Sequence, residues 1–322
     1  MDAPTRWATR WAESGAMWLT GRPDGPPLGV PTRLVRELDA LGKPFDVDGV
    51  ALLGERAALA RLQRGGNVSC GGATRLLPAT DGWLAVSLTR DDDFDLLGAW
   101  LDITGDNPWT EVANAVATRR ADDVTAAATE LGLAVSRLGE ASDLPAIVPT
   151  RLGEAPPTHD LRSLRVIDLS SLWAGPLCGQ LLADAGMDVV KVESTRRPDG
   201  ARRGPQAFFD LMNGRKRFVD LDLTTRDGTA ALRELLLSAD VVIEASRPRA
   251  LRQMGIDADE IVAIGETKVW LSITGFGRAH NRVAFGDDAA VAGGLVARDD
   301  GGAPLFCGDA LADPLAGLHA AW

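Results

Sequence analysis

The stretch Leu164-Arg-Val-Ile-Asp-Leu-Ser170-Ser-Leu-Trp-Ala-Gly175-Pro-Leu-Cys-Gly-Gln180-Leu-Leu-Ala-Asp-Ala-Gly186-Met-Asp-Val-Val-Lys191-Val-Glu193 reads as a strand, a tight turn, a helix and a second strand. Its two β-rich runs are short, and Gly175-Pro176 opens a helix cleanly, since proline lacks only a donor that the first helical turn leaves unused. The rhythm continues downstream. Arg217–Leu223, Asp240–Ala245 and Val269–Thr274 read as strands, with helical patterns over Pro176–Ala185 and Gly228–Ser238. Strands alternating with helices predict an α/β fold with a Rossmann-like, doubly wound parallel sheet. Ligands of such sheets bind beyond the carboxyl ends of the strands, so the turns after each strand are where function is sought.

The 322 residues are 45% hydrophobic and 25% charged, ordinary values for a globular protein with room for two domains. No apolar run approaches the roughly 20 residues that span a bilayer, and the N-terminus lacks a signal pattern, so a cytoplasmic protein without membrane attachment is expected. A net charge of −11 disfavours general nucleic-acid binding, which needs a basic face. Three cysteines, Cys70, Cys178 and Cys307, suit reduced thiols better than a disulfide framework. With only three histidines and no tyrosine, triads and metal sites have few parts to draw on, and no metal is expected. His159 lies in a polar, Pro-interrupted stretch and reads as a solvated loop residue.

That stretch, residues 151–161, reads as a linker before a Rossmann-like domain over 162–322. Residues 41–150 read as a small α+β domain. It holds a glycine loop at Gly65-Gly66-Asn-Val-Ser-Cys-Gly71-Gly72, a turn into a strand at Asp81-Gly82-Trp83, and helices over Asp92–Leu101 and Ala121–Glu130. Residues 14–28 echo residues 293–305, and aligning Gly25 with Gly302 puts Arg36 where Asp313 stands. Residues 1–40 are thus either the remnant of a first large-domain copy or a chance likeness between two Gly/Pro-rich turns.

Three motifs carry candidate chemistry. The turn after the first strand is not G-x-G-x-x-G, which disfavours a nicotinamide cofactor, although Glu193 sits where a ribose-binding acid would. From Lys191 to Arg217 eight basic residues stand against three acidic ones, a local +5 in a chain of −11. Such a run is either a solvated face or a phosphate site. Asp313, followed by proline and an apolar run, is either a helix N-cap or a reactive carboxylate.

In order along the chain, Leu164–Leu169, Ala174-Gly-Pro, Leu182–Glu193, Asp199 with Arg202, Met212–Arg217, Asp220–Leu223, Ala239–Pro248, Ser272–Gly277 and Asp313-Pro-Leu-Ala-Gly317 together resemble the class III CoA-transferases, the family that includes formyl-CoA and carnitine CoA-transferases and is related to α-methylacyl-CoA racemase. The resemblance implies a catalytic Asp followed four residues later by Gly, which Asp313 and Gly317 match and Asp309 does not. It implies contacts to coenzyme A, as the acyl-CoA substrate, from Leu172 and Ala174 after the first strand, Leu221 on the third, and Ala245, Ser246 and Arg247 after the fourth. Ser194 stands where formyl-CoA transferase has a basic residue, so Arg196 or Arg197 would take that role. The basic cluster, with Arg202 and Lys216, would hold the CoA phosphates. The family's glycine loop is matched by Gly65, Gly66, Gly71 and Gly72, but here the small domain precedes the catalytic Asp, so the chain is either a rearranged member or part of a longer protein.

The implied reaction is transfer of CoA from an acyl-CoA donor to a carboxylic acid acceptor, through an aspartyl mixed anhydride and an aspartyl-CoA thioester. The racemase branch has Gly-His-Asp where this chain has Gly286-Asp287-Asp288, so its base is missing and a CoA-ester racemase or isomerase is the first alternative. A catalytically silent CoA-binding subunit is the second and a dinucleotide dehydrogenase the third. Family members form interlocked dimers, so a homodimer is expected. Asp309→Asn is expected to serve as a silent control for Asp313→Asn.

Overall fold

A computed structural model of the chain describes residues 3–29, 32–154, 160–266 and 268–322. Its strands in chain order are β1 (Thr74–Ala79), β2 (Gly82–Ser87), β3 (Ala134–Arg137), β4 (Arg165–Asp168), β5 (Asp188–Ser194), β6 (Arg217–Leu221), β7 (Val241–Glu244), β8 (Val269–Ser272), β9 (Val296–Arg298) and β10 (Pro304–Phe306). Every strand and helix expected from the 164–193 stretch is present. The five strands of this half pair in parallel in the order β6-β5-β4-β7-β8. The order reverses direction at β4, which makes the sheet doubly wound and leaves its crevice at the carboxyl ends of β4 and β7. Ile167, Val190 and Val242 are buried on one side with Leu232 and Leu236 of the helix Arg226–Leu237. Val166, Val189 and Ile243 face the other side with Cys178 and Leu182 of the helix Ala174–Asp184. Alternate residues of one strand thus feed two cores, as the period of two demands.

The chain divides into two compact units. One comprises residues 41–47, 146–281 and 314–322 and contains this parallel sheet; the other comprises 1–40, 48–145 and 282–313. In the second, β1, β2 and β3 form an antiparallel sheet, with β1 and β2 joined as a hairpin whose register pairs Ala79 with Gly82. Leu77, Leu84 and Val86 point into a core with Trp100, Val112 and Val124. Leu76 and Ala85 point the opposite way and meet Val291 and Phe306. Residues 282–313 therefore pack on the small sheet, which departs from one continuous domain over 162–322: the second face of β1 and β2 is apolar and needs a cover, and the helix Gly286–Ala292 with the β9–β10 hairpin provides it.

The helix expected over Asp92–Leu101 is two short helices, Asp91–Asp95 and Leu97–Leu101. They part at Leu96, where the Leu96 N–H closes on the Asp93 carbonyl three residues back. Residues 145–154 carry neither helix nor strand; of the linker, Pro156, Pro157 and His159 lie outside the described residues. The echo between residues 14–28 and 293–305 extends to backbone geometry: Gly25 N–H bonds Arg22 O at 3.1 Å, and Gly302 N–H bonds Asp299 O at 2.9 Å. Leu28 N–H bonds Thr20 O, and the equivalent residues Leu305 and Ala297 pair across the β9–β10 hairpin. Arg36, the counterpart of Asp313, is exposed on the helix Thr32–Gly42. Among the described residues, no helix is long and apolar enough to cross a membrane.

Candidate active site

Asp313 lies in the first turn of the helix Ala312–Ala321 rather than at its N-cap. Its N–H bonds the carbonyl of Ala310 at 2.9 Å, and Ala310 holds φ at +44°, a left-handed conformation costly for a residue with a Cβ. The half-buried Asp313 carboxylate rests against Gly286. A Cβ there would come within 2.6 Å of Asp313 Oδ2 and of the Ala310 carbonyl, so only glycine leaves the carboxylate its place. The glycine of the Asp-x-x-x-Gly spacing has a separate reason. At Gly317 a Cβ would meet the Ala174 carbonyl at 2.7 Å, so this helix can lie against the start of Ala174–Asp184 only without a side chain.

Around Asp313 the fold collects groups that the sequence scatters. Arg56, on the helix Leu52–Ala60, grips the buried Asp309 with Nε at 2.9 Å and with a second bond from Nη2. Asp287 accepts the Ala310 N–H at 3.0 Å and a bond from the Ser69 hydroxyl in the glycine loop. Asp288 is fully buried and accepts from the Phe285 N–H at 2.9 Å and from the hydroxyls of Ser87 on β2 at 2.9 Å and Ser136 on β3 at 3.3 Å. The loop itself is tied in at several points. Gly66 accepts the Phe306 N–H at 2.9 Å, Cys70 Sγ lies 3.3 Å from the Gly308 carbonyl, and Gly71 sits beside the Arg56 guanidinium.

Three carboxyls sharing the Arg56 guanidinium, Asp287, Asp309 and Asp313, resist ionisation, and so does Asp288 beside them. Burial pushes Asp313 up to about 7; Arg56 opposes the rise, and Asp287, Asp309 and Asp288 add to it. Burial and then Asp309 raise Asp287 to about 6, while burial lifts Asp288 to about 7 against its hydrogen bonds. Burial also raises Asp309, outweighing the attraction of Arg56. The Cys70 thiol, pushed up to about 12 by burial, is not a nucleophile at neutral pH.

A carboxyl that binds its proton more tightly when folded contributes stability below its unfolded value and loses it as pH rises through the folded value. Asp288 should therefore make the protein less heat-stable as pH climbs from 3.8 through about 7. Asp288→Asn keeps an acceptor for the Phe285 N–H and removes the charge. Its Tm should exceed the wild-type value by on the order of 5 °C at pH 8, and by little at pH 5, in a melting series across that range. Equal slopes for the two proteins would exclude Asp288 as the source of the decline.

The expected CoA contacts gather at the carboxyl edge of the parallel sheet. Leu172 follows β4 with φ at +72°, exposed, its N–H held by Asp199 Oδ1 at 2.9 Å. Ala174 opens the next helix, Leu221 ends β6, and exposed Ala245 with Ser246 and Arg247 follows β7. The Ser246 hydroxyl bonds Glu244 at 2.7 Å.

The structure places most of the basic cluster in ion pairs. Lys216 is buried, and its three hydrogens are taken by Asp168 Oδ2 at 2.8 Å, Pro176 O at 2.7 Å and Asn213 Oδ1 at 2.9 Å, so it has nothing left for a phosphate. Lys191 is equally buried and pairs with Asp199 at 3.0 Å. Arg202 clamps Glu193 and stacks 4.0 Å over Phe209. Glu193 is thereby committed as well, and does not stand free as a ribose-binding acid. Arg196 pairs with Asp222, Arg215 with Asp184 and Arg217 with Asp188. Four of the balancing acids, Asp168, Asp184, Asp188 and Asp222, lie outside the 191–217 window. Arg197 and Arg203 are exposed and, among the described residues, make no ion pair. Of the residues around Asp313, sequence reasoning missed Arg56, Asp287, Asp288 and Ser69; the run Gly286-Asp287-Asp288 was the one visible signal. Among the described residues, no group of three or more His, Cys, Asp and Glu side chains is arranged to hold a metal ion.

Comparison with known proteins gives one consistent family. Residues 161–322 match CoA-transferase family III. The chain is similar to the succinate–glutarate CoA-transferase of Agrobacterium fabrum, at 33% identity over 177 residues, covering 49% of this chain and 44% of the relative. It is also similar to the formyl-CoA:oxalate CoA-transferase of Escherichia coli O6:H1, at 30% identity over 171 residues, covering 49% of this chain and 41% of the relative. Among solved structures it is similar to a CAIB/BAIF family protein from Brucella suis, at 33% identity, covering 50% of this chain and 47% of that one, with a TM-score of 0.46. The chain thus spans less than half the length of the curated relatives it matches.

Proposed function

Because this chain belongs to CoA-transferase family III, we propose that it moves coenzyme A from an acyl-CoA to a carboxylic acid, with Asp313 as the nucleophile. The observation that supports this best is the setting of Asp313: a half-buried carboxylate raised to about 7 and seated against a glycine that leaves it room, with the glycine-rich loop tied to its neighbours Asp287 and Gly308. A carboxylate of raised pKa is a better nucleophile once ionised than an ordinary one, and neutral pH still ionises about half of it.

In the proposed reaction Asp313 attacks the thioester carbonyl and expels CoA thiolate, leaving a mixed anhydride. The thiolate then attacks the aspartyl carbonyl and releases the donor acid, which leaves an aspartyl-CoA thioester. The acceptor carboxylate attacks that thioester, returning the thiolate and forming a second anhydride. Attack by the thiolate on the acceptor's acyl carbon gives the new acyl-CoA and frees Asp313. The loop of Gly65, Gly66, Gly71 and Gly72 would exclude water from the anhydrides, with its N–H groups on the developing oxyanion. The CoA contacts we assign are the Leu172–Ala174 turn, Leu221, the Ala245–Arg247 segment and, for phosphate, Arg196 and Arg197; Lys216 is left out because it is buried with three partners, and Arg202 because it is clamped on the buried Glu193. A homodimer working in the cytoplasm completes the reading, and three unpaired thiols fit a reducing compartment.

Mass spectrometry after incubation with a panel of acyl-CoAs and carboxylic acids tests the reading. CoA exchange should appear for at least one pair, and hydroxylamine added during turnover should convert Asp313 to a hydroxamate on its peptide. The transfer rate should rise with pH and level off above about 7, because only ionised Asp313 attacks. A Tm raised by free CoA, with no exchange for any pair, would instead favour a silent CoA-binding subunit.

A further inference from the structure

Asp287 is a carboxylate that the transfer chemistry leaves unused, yet it holds both parts of the Asp313 site. Its Oδ1 accepts the N–H of Ala310 at 3.0 Å, and Ser69 of the glycine loop donates its hydroxyl to the same carboxylate. Ala310 carries the left-handed φ of +44°, and its carbonyl in turn accepts the Asp313 N–H. The Asp287 carboxylate therefore links Ser69 to the N–H on one side of the Ala310 Cα, and the carbonyl on the other side of that Cα holds the Asp313 N–H. A non-glycine residue keeps a left-handed backbone only where its surroundings impose it, and the Asp287 bond to the Ala310 N–H is such an imposition. Released from it, the peptide would relax toward negative φ and take the start of the Asp313 helix with it. The charged groups facing Asp287 are Asp288 on its own helix, Asp309 and Asp313 from the following turn, and Arg56 from the helix Leu52–Ala60, with the Cys70 thiol from the glycine loop.

We propose that Asp287 is a positioning residue for Asp313, whose carboxylate latches the glycine loop to the peptide that starts the Asp313 helix. The catalytic meaning of the latch rests on the transferase reading above; the latch itself does not. Two substitutions separate its hydrogen bonds from its charge. Asp287→Ala removes both, whereas Asp287→Asn keeps an acceptor for Ala310 and Ser69 and removes only the charge.

Amide hydrogen exchange in the free protein reads the latch without any assay of activity. Peptides covering residues 65–72 and 308–312 should exchange roughly tenfold faster in Asp287→Ala and at the wild-type rate in Asp287→Asn. The Asp313 carboxyl resonance, identified by its loss in Asp313→Asn, should titrate at lower pH in Asp287→Asn by roughly half a unit or more, since a neighbouring negative charge is gone. In transfer assays Asp287→Asn should keep its plateau rate with the pH profile moved the same way, while Asp287→Ala should be slower at every pH. Unchanged exchange in Asp287→Ala, or an Asp313 titration unmoved in Asp287→Asn, overturns the proposal; the second stands even if the alanine variant fails to fold. If Asp313→Asn transfers CoA normally while the exchange results come out as expected, the transferase reading fails and the latch survives.

Discussion

Asp313→Asn should lower CoA transfer by at least about a thousandfold while leaving the protein folded. An amide of nearly the same shape cannot attack a thioester, and without the aspartyl anhydride no covalent route is left. Folding should survive because Asp313 sits inside the first turn and is not the helix cap. The change also removes a carboxyl whose burial raises it to about 7, so the variant should be at least as heat-stable as wild type above neutral pH. The measurement is transfer rate and Tm on the same preparation. Wild-type transfer would take the nucleophile's role from Asp313, and loss of folding would show a structural role that the geometry gives no sign of. Asp309→Asn is not the silent control that its lack of the Asp-x-x-x-Gly spacing suggests. Asp309 is fully buried in a two-bond pair with Arg56, and neutralising it would leave that guanidinium short of its partner.

The second large effect belongs to Lys216, and it should be on stability rather than on CoA affinity. Burial opposes ionisation of Asp168, yet Lys216, Lys191 and the Ser170 hydroxyl outweigh it and hold this carboxyl below the usual range. Both partners of the Lys216–Asp168 pair have fully buried side chains. Lys216→Met fills similar space but strands the Asp168 carboxylate, along with the Pro176 carbonyl and Asn213. Removing one partner of a buried pair typically costs about 3–5 kcal/mol. Denaturant unfolding should show that loss. The companion variant Lys216→Met/Asp168→Asn, which removes the stranded charge, should recover a good part of it. A Lys216→Met protein with wild-type stability and weakened CoA binding would return the residue to the phosphate site.

The parallel sheet was legible because its signal is local. Each strand is a short β-rich run and each helix a separate periodic segment, so β4 to β8 fall within a few residues of where the pattern puts them. Asp313 and Gly317 were legible only through the resemblance to the class III CoA-transferases, whose motif they match, since in the structure the two glycine contacts are separate, Gly286 for Asp313 and Ala174 for Gly317. The helix split at Leu96 was not, because a single tightened hydrogen bond leaves no trace in apolar periodicity.

By itself the sequence determined the βαβ order and the position of the turns that follow the strands, and its resemblance to a family singled out Asp313. Only the tertiary structure decided which charges are free. Arg56 and Asp309 are 253 residues apart in the chain and bonded in space, and Lys216 reaches Asp168 across 48 residues. A +5 counted over 191–217 adds charges along the chain, whereas Coulomb energy depends on distance and on the medium between them. That difference turned Lys191 and Lys216, both counted in the basic cluster, into buried ion-pair partners. It also gathered Asp287, Asp309 and Asp313 around one guanidinium, with Asp288 beside Asp287, and burial raises each of the four above the usual carboxylate range.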